Sequence, residues 1–247
     1  MGPKKTKNRL DKLLVERGLS PTRERAKALI MAGAVVVDDT VIDKAGTLVG
    51  HDAAIRIKGQ DNPYVSRGGL KLKGALESFG IRVTDAVALD VGVSTGGFTD
   101  CLLQAGARKV YAVDVGYGQL AWKLRQDSRV VLFERTNIRY FTGKELRDPI
   151  DIVTIDVSFI SLRLALPPVL PLIREGAAIL ALVKPQFEAG RGNVGKKGVV
   201  RDPAVHAWVI EEIKNFAGNA GLTVVGVCES PILGPAGNRE FFLYAIK

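Results

Sequence analysis

The spacing of apolar residues near the start of the chain predicts two short helices. In residues 9–30, apolar side chains recur at the period of helix faces. They are Leu10, Leu13, Leu14, Ala26, Leu29 and Ile30. Gly18 suits the end of the first helix, and Ser20 and Pro21 predict the N-cap and first residue of the second. The pattern then changes to short apolar runs in VVVDDTVI and AAIRIKG, which predict a small β meander.

A change of composition marks a domain boundary after this region. The segment KGQDNPYVSRGG, residues 58–69, has the Gly, Asn and Pro content of a linker. We place the boundary near residue 62, with a small α+β domain over residues 1–61, a linker over 62–69 and a large domain over 70–247.

Seven apolar runs with helical stretches between them occupy the large domain. The runs are AVALDVGV, KVYAVDVG, VVLFERT, DIVTIDVSF, AAILALVKP, LTVVGVCES and EFFLYAIK. Several are continuously apolar, as parallel strands covered by helices on both faces usually are. They predict an α/β fold with a doubly wound, seven-stranded Rossmann-like sheet. The loop SPILGPAGNR has hardly any room for a helix, so the last strand is expected to pair antiparallel.

The distribution of charge indicates what kind of partner the protein binds. The 247-residue chain has 35 Lys and Arg against 26 Asp and Glu, a formal net charge of +9. Residues 1–30 contain nine of the basic residues and three of the acids, so they carry six of the nine excess charges. A basic module favours a polyanionic partner, and the alternative is a solvated charged face.

The sequence lacks the features of disulfide-linked, metal-binding, secreted and membrane-spanning proteins. Cys101 and Cys228 are the only cysteines, and both lie in apolar segments, so neither a disulfide framework nor a metal site is expected. The basic start is not followed by an apolar signal region, and the chain has no run of 18 apolar residues. We therefore expect a cytoplasmic protein. The sequence does not define an oligomeric state, and a monomer is expected.

The small domain resembles the S4 RNA-binding domain. The stretch that carries the resemblance is RLDKLLVERGLSPTRERAKALIMAGAVVVDDTVI, in which two basic helices precede a β meander. The resemblance implies structured RNA as the partner, bound through phosphates and shape. The residues expected to contact RNA in this domain are Arg9, Arg23, Arg25 and Lys27.

The stretch LDVGVSTGGFTDCL, residues 89–102, has the pattern of a strand, a glycine turn and a helix. Ser94 stands where the dinucleotide fingerprint needs its middle glycine, and no Gly-Lys-Ser/Thr follows for a phosphate loop. Asp114, at the tip of the next strand, is placed to accept hydrogen bonds from a ribose diol. This arrangement resembles the S-adenosylmethionine site of class I methyltransferases, and a structural turn in another Rossmann-like protein is the alternative.

The resemblance to class I methyltransferases implies a set of cofactor-binding residues. They are Asp90, Gly92, Ser94, Thr95, Gly96, Gly97, Phe98, Asp114 and, for the adenine, Asn137.

Charged residues also occur where the apolar runs end. Asp156 follows one run and Lys184 another, while Lys71 begins a helix before the first strand and Glu240 begins the last strand. The carboxyl ends of strands form the ligand crevice in open α/β sheets. The order Lys, Asp, Lys, Glu resembles the catalytic tetrad of ribose 2'-O-methyltransferases of the FtsJ superfamily.

Nearly the whole chain is similar to the TlyA (hemolysin A) family of ribosomal RNA 2'-O-methyltransferases. The motifs that carry the similarity are SRGGLKL, DVGVSTGGFTDCLL, VDVGYGQL, ERTNIR, DVSFISL and VKPQFE. It implies S-adenosylmethionine as cofactor, a cytidine ribose in rRNA as substrate and one or both ribosomal subunits as partner. It further implies that Lys184 activates the 2'-hydroxyl.

The role of Lys184 stays open between two mechanisms. A free lysine amine is protonated at neutral pH and cannot accept a proton. Burial and a second cation, Lys71, favour the neutral amine, whereas Asp156 favours the ammonium ion. Lys184 is therefore either a general base or an orienting group. Lys73 is a rival for the role of Lys71.

Alternatives remain for the other candidates as well. Asp156 and Lys184 can form a structural ion pair, and Glu240 can pair with Arg239. The loop EAGRGNVGKKGVVRD predicts an RNA-facing lid with Lys196 and Lys197, or a solvated loop. Competing functions are a non-catalytic ribosome assembly factor, a cytolysin and an NAD-binding module.

Overall fold

The computed structural model describes residues 7–38, 40–57, 62–195, 198–234 and 237–247. The chain divides into two compact units, Met1–Asn62 and Pro63–Lys247. The predicted RNA-binding residues Lys196 and Lys197 lie outside the described residues, as do parts of the predicted first domain.

The N-terminal unit contains the two predicted helices and the predicted meander. Its elements are β1 (Lys7–Arg9), α1 (Leu10–Glu16), α2 (Arg23–Met31), β2 (Val35–Val37), β3 (Thr40–Ile42), β4 (Leu48–Gly50) and β5 (Ile55–Ile57). Strand β1 pairs antiparallel with β4, and β2 pairs antiparallel with β3 and β5. These pairings make a two-stranded and a three-stranded sheet, and the helices pack their apolar stripes against strands of both. Most of the stripe residues are fully buried. These are Leu10, Leu13, Leu14, Ala26 and Ile30.

Helix α2 begins two residues later than the sequence predicts. Thr22, rather than Ser20, is the N-cap, and its hydroxyl accepts a hydrogen bond from the backbone N–H of Arg25 at 3.2 Å. The hydroxyl of Ser20 instead donates to the carbonyl of Thr22 at 3.0 Å. Both residues are competent caps, and Thr22 has the extended backbone of an N-cap, with φ −139° and ψ 160°, directly before the first helical residue.

The C-terminal unit alternates strands and helices. Its elements are α3 (Gly68–Phe79), β6 (Val87–Val91), α4 (Gly97–Gln104), β7 (Lys109–Val113), α5 (Trp122–Arg125), β8 (Val130–Phe133), β9 (Ile150–Ile155), α6 (Leu162–Ala165), β10 (Ile173–Val183), α7 (Pro185–Glu188), α8 (Pro203–Asn219), β11 (Thr223–Glu229) and β12 (Phe241–Ile246). Short 3-10 helices cover Ile138–Tyr140, Pro167–Leu172 and Arg191–Asn193.

The C-terminal unit has one seven-stranded sheet in the order β11-β12-β10-β9-β6-β7-β8. The strands from β10 to β8 are parallel, and β12 runs antiparallel to both of its neighbours. The predicted doubly wound, seven-stranded sheet with an antiparallel last strand is therefore confirmed.

Alternate residues of the strands feed two cores, one on each face of the sheet. In β6, Val87, Leu89 and Val91 pack on the face covered by α6 and α8, whereas Ala88 packs on the face covered by α3 and α4. Burial on both faces explains why the strands have almost continuously apolar sequences.

The antiparallel direction of β12 decides where its first residues lie. Phe241, which opens β12, is the register partner of Val183, which closes β10. Glu240, directly before β12, and Lys184, directly after β10, therefore lie at the same carboxyl edge of the sheet.

Both cysteines are free thiols. Cys101 is buried, and its burial raises the pKa of the thiol to about 11. A thiol protonated in this way is a poor nucleophile at neutral pH. Across the described part of the chain, no helix combines the length and the hydropathy needed to cross a bilayer.

Candidate active site

A cavity of about 690 Å³ opens at the carboxyl edge of the sheet. Its lining includes all four members of the predicted tetrad, Lys71, Asp156, Lys184 and Glu240. It also includes Gly92, Val93, Ser94, Thr95 and Phe98 from the glycine loop. The volume is that of a typical small-molecule site. The structure thus brings together residues that are far apart in the chain.

Lys71 and Glu240 form a buried ion pair in this cavity. The ammonium of Lys71 lies 2.6 Å from Oε2 of Glu240, and both side chains are almost fully buried. On its other oxygen, Glu240 faces Nε2 of Gln186 at 3.5 Å. The Oε1 atom of Gln186 is buried without a hydrogen-bond partner among the described residues. The charge of Lys71 is therefore neutralised by a carboxylate instead of acting as a free cation beside Lys184.

Lys184 and Asp156 form the second ion pair of the cavity. Lys184 follows β10 and Asp156 follows β9, and Nζ of the lysine lies 2.6 Å from Oδ1 of the aspartate. The lysine amine also donates a hydrogen bond to Oγ of Ser158 at 2.9 Å. The ring of Phe187 lies 5.9 Å from the same nitrogen. Lys184 is thus held by Asp156 and Ser158, and the ring of Phe187 borders its amine.

The alternative residues and contacts suggested by the sequence lie outside the cavity. Lys73, the alternative to Lys71, is exposed and pairs with Glu77 one helical turn away. Arg239, the alternative partner of Glu240, pairs with Glu229. Neither alternative contact lies in the cavity.

The glycine loop packs tightly against neighbouring elements, which explains its composition. Gly92 has φ +86°, and a Cβ built there would collide with the carbonyl oxygen of Asp156. A Cβ at Gly96 would strike the side chains of Leu120 and Leu124, and one at Gly97 would strike Oγ of Ser66. The cavity is lined by Gly92 but by neither Gly96 nor Gly97. The last two glycines therefore serve packing in this structure.

Asp90 lies beneath the loop instead of in the cavity. Its side chain is fully buried, and its two carboxylate oxygens accept hydrogen bonds from the hydroxyls of Thr99 and Thr154, each at 2.7 Å. Burial raises the pKa of Asp90 to about 6, against the lowering effect of these hydrogen bonds. Its contacts tie β6 to α4 and β9, so its geometry is that of a residue that positions the loop.

Asp114 and Asn137 lie together at the tips of β7 and β8. The carboxylate of Asp114 accepts hydrogen bonds from the backbone N–H groups of Ser94 and Gly116, each at 2.6 Å. The backbone carbonyl of Asp114 accepts from the N–H of Thr136 at 2.8 Å. Asn137 caps the 3-10 helix that follows, accepting from the N–H of Arg139 at 3.1 Å. Asp114 therefore contacts the glycine loop through Ser94, and neither Asp114 nor Asn137 lines the cavity of the tetrad.

In the N-terminal unit, two of the predicted RNA-binding residues have a structural contact. Arg9 and Arg23 both bind the buried carboxylate of Asp11, at 3.0 and 2.9 Å. Hydrogen bonds from Arg9, followed by those from Arg23, lower the pKa of Asp11 to about 2. Each guanidinium remains partly exposed. Arg25 is exposed and Lys27 half-buried, both on α2.

Several residues of the site were not identified from the sequence. Ser158, Phe159, Gln186, Phe187 and Asn238 line the cavity. Thr99 and Thr154 bind the buried Asp90. The one available signal was Thr154, a polar residue in the apolar run IVTI of β9, since a buried hydroxyl needs a partner. No group of three or more His, Cys, Asp or Glu side chains with the proximity of metal ligands occurs among the described residues.

Comparisons with known proteins agree with this geometry. The FtsJ-like methyltransferase family matches residues 64–247, and the S4 domain matches residues 8–55. A Bacillus subtilis (strain 168) protein, provisionally designated rRNA methyltransferase YqxC, is 55% identical over 239 residues, which are 96% of this chain and 85% of that protein.

Two further relatives cover most of the chain. The 16S/23S rRNA (cytidine-2'-O)-methyltransferase TlyA of Mycobacterium tuberculosis is 47% identical over 237 residues, 96% of this chain and 88% of the relative. A solved structure of a Streptococcus thermophilus protein designated as a hemolysin has a TM-score of 0.77 at 46% identity. It covers 99% of this chain and 90% of its own.

Proposed function

The chain belongs to the FtsJ-like methyltransferase family and carries an S4 domain, and we propose that it transfers a methyl group from S-adenosylmethionine to the 2'-hydroxyl of a cytidine in ribosomal RNA. One observation carries the proposal. Lys71, Asp156, Lys184 and Glu240 meet in one cavity beside the glycine loop. The relative TlyA, whose name states cytidine-2'-O methylation of 16S and 23S rRNA, supports the substrate at 47% identity.

The residues around the glycine loop fit the cofactor. The cavity has room for a small molecule. Each oxygen of the Asp114 carboxylate accepts one backbone N–H, which leaves further lone pairs for the hydroxyls of a ribose. We assign the adenine to the region of Asn137 and the methionine end to the cavity-lining loop from Gly92 to Thr95. S-adenosylmethionine, when bound, supplies a methyl group on a sulfonium that a nucleophile can displace.

The chain's own residues must make a poor nucleophile reactive. Holding a ribose hydroxyl in line with the methyl group can supply effective molarities on the order of 10⁵ to 10⁸ M, roughly 7 to 11 kcal/mol. Lys184 is the group we assign to the hydroxyl, and Asp156 holds the lysine by its charge. The buried pair of Lys71 and Glu240 borders the same cavity, and we assign it to the charge balance and shape of the ribose site.

RNA binding is assigned to the N-terminal unit. Arg25 and Lys27 carry basic groups on α2, and Arg9 and Arg23 keep exposed edges while binding Asp11. Phosphate contacts of this kind position RNA without reading its sequence. We add Lys196 and Lys197 as RNA contacts of a basic loop. An rRNA substrate implies that the protein acts in the cytoplasm, with the ribosomal subunits as partners.

A non-catalytic assembly factor is the second candidate function. It would require the S4 unit alone, and it offers no reason for two ion pairs to be gathered beside the glycine loop. The hemolysin designation of one relative suggests a cytolysin as a third candidate, and it likewise gives the tetrad no role.

The test is to incubate the purified protein and labelled S-adenosylmethionine with each isolated ribosomal subunit and to map 2'-O-methylated nucleotides. We expect label in rRNA at a cytidine, and the mapping identifies the subunit. Binding to a subunit without any transfer would contradict the proposal and favour the assembly factor. Transfer to a base instead of a ribose would also contradict it.

A further inference from the structure

We propose that Ser158 is a positioning residue for this reaction, whose hydroxyl fixes the direction in which the amine of Lys184 faces the substrate. The inference rests on the proposed function and adds to it a residue outside the predicted tetrad. It starts from the difference between the two contacts that Lys184 makes on the loop after β9.

The first contact, with Asp156, supplies charge but little direction. Nζ of Lys184 lies 2.6 Å from Oδ1 of Asp156, yet that oxygen has no partner with the angles of a hydrogen bond among the described residues. Coulomb attraction depends on distance, whereas a hydrogen bond also depends on angle. The ion pair alone therefore leaves the lysine amine free to rotate.

The second contact, with Ser158, has the geometry that the first lacks. The amine donates to Oγ of Ser158 at 2.9 Å, which meets the distance and angle of a hydrogen bond. With one N–H held by Ser158 and another side of the nitrogen facing Asp156, the remaining tetrahedral direction is set. Ser158 and Lys184 both line the cavity, so this direction is available to a ligand there.

The position of Ser158 is itself fixed relative to Lys184. Three residues later, Ser161 donates to Oε2 of Glu188 at 2.6 Å, and the N–H of Leu162 donates to Oε1 of the same residue at 2.8 Å. Glu188 ends the short helix α7 that starts right after Lys184. The loop after β9 is thus joined at two points to the segment that carries the lysine, so Ser158 cannot drift away from Nζ.

This arrangement gives the proton of the 2'-hydroxyl a defined acceptor. A neutral amine whose two N–H bonds face Asp156 and Ser158 presents its lone pair in the remaining direction. As the 2'-oxygen forms its bond to the methyl carbon, the carbon–sulfur bond breaks and its electron pair stays on sulfur. The proton of the hydroxyl then passes to the nitrogen of Lys184. The step starts from the neutral amine, so the ammonium that pairs with Asp156 first releases one proton to solvent. With that proton accounted for, atoms and charge balance.

The test compares Ser158→Ala with Ser158→Thr and with the control Ser128→Ala. Ser128 is an exposed serine before β8, at the opposite edge of the sheet. Loss of a hydrogen bond to an ionisable donor should lower kcat of Ser158→Ala by about tenfold to a hundredfold. KM for the ribosomal subunit and the affinity for S-adenosylhomocysteine, measured by calorimetry, should change by less than about twofold. Ser158→Thr keeps the hydroxyl and should restore most of kcat, and Ser128→Ala should match the wild type.

Several results would overturn this inference. A wild-type kcat in Ser158→Ala removes the role of the hydroxyl. Equal losses in the Ala and Thr variants would mean that the shape of the loop, and not the hydroxyl, matters. If Ser158→Ala does not fold by thermal melting, Ser158→Cys, which matches serine in size but is a weak acceptor, must lose kcat for the inference to stand. A wild-type protein that transfers no methyl group would instead overturn the proposed function, and this inference with it.

Discussion

The ammonium of Lys71 lies 2.6 Å from the carboxylate of Glu240, although the two residues are 169 positions apart in the chain. The lysine comes from the helix before the first strand of the large sheet, and the glutamate directly precedes the last. Both are buried, so each charge depends on the other for compensation. The pair therefore couples the two ends of the C-terminal unit.

This dependence predicts an asymmetry between single and double variants. Lys71→Met leaves the Glu240 carboxylate buried without its cation and should lower the free energy of unfolding by roughly 3 to 5 kcal/mol. Lys71→Met combined with Glu240→Gln removes both charges and should recover most of that loss while remaining inactive. Urea denaturation and methyl-transfer assays measure the two effects. Equal stability of the single and double variants would show that the charges are not coupled.

Lys184 should be essential for transfer but not for cofactor binding. Lys184→Ala removes the group assigned to the 2'-hydroxyl and should lower kcat by about 10²-fold to 10⁴-fold, the usual contribution of a positioned acid or base. Calorimetric binding of S-adenosylmethionine should stay close to that of the wild type. Lys73→Ala, which removes an exposed lysine paired with Glu77, is the matched control and should keep full activity. Full activity of Lys184→Ala would refute the mechanism.

Asp90 should make the stability of the fold depend on pH. Its pKa is raised by burial from 3.8 to about 6, so the folded protein holds a proton that the unfolded chain has released between these values. The contribution is fully present below about pH 4 and is lost as pH rises through about 6, on the order of 3 kcal/mol in total.

The variant that tests this effect is Asp90→Asn, which keeps the hydrogen-bonding shape and removes the titration. Urea unfolding of the wild type and the variant from pH 4 to pH 8 measures the difference between them. We expect the wild type to lose stability relative to the variant as pH rises. Parallel curves for the two proteins would mean that folding does not raise the pKa of Asp90.

Gly92 should tolerate no side chain, because a Cβ has no room there and because its φ is positive. Gly92→Ala places a Cβ against the carbonyl oxygen of Asp156 at φ +86°. Gly221 has nearly the same φ of +88° with nothing within 4 Å of a built Cβ, so Gly221→Ala isolates the cost of the angle. We expect both variants to lose stability and only Gly92→Ala to lose transfer as well. Equal kcat in the two variants would contradict the close packing of this loop on Asp156.

The basic residues of α2 should contribute to RNA affinity through their charge. Arg25→Ala with Lys27→Ala should weaken binding to rRNA and reduce the slope of log affinity against log salt by about 0.7 to 0.9 for each phosphate that these side chains neutralise. Removal of residues 1–60 should flatten the salt dependence further. Lys214→Ala, on α8 in the other unit, is the control. Binding titrations from low to high salt measure the slopes, and unchanged slopes would assign RNA recognition to other residues.

The features that the sequence predicted are those that follow from the period of apolar residues and from the positions where strands end. The seven strands follow from apolar runs, and Asp156 and Lys184 were noticed because a charge at the end of such a run has no packing reason. Contacts between side chains on different elements carry no such signal. The sequence pattern did not indicate that Asp11 binds Arg9 and Arg23 or that Ser158 contacts Lys184. Thr154 stood out as a polar residue that needs a partner, but the pattern did not identify Asp90 as that partner.

The choice between Ser20 and Thr22 as helix cap illustrates the same limit on a smaller scale. Both residues have a hydroxyl that can cap a helix, and the sequence SPT places them two positions apart. The decision depends on backbone angles that neighbouring contacts impose, which local preference cannot supply.

The position of β12 between β10 and β11 has a consequence for folding. The strand is later in the chain than both of its neighbours, so β11 has no place in the sheet until β12 has entered it. The same insertion brings Glu240 to Lys71. Docking of the last strand therefore also completes the tetrad, and a partly folded molecule that lacks β12 keeps the Lys184–Asp156 pair but leaves Lys71 without its carboxylate.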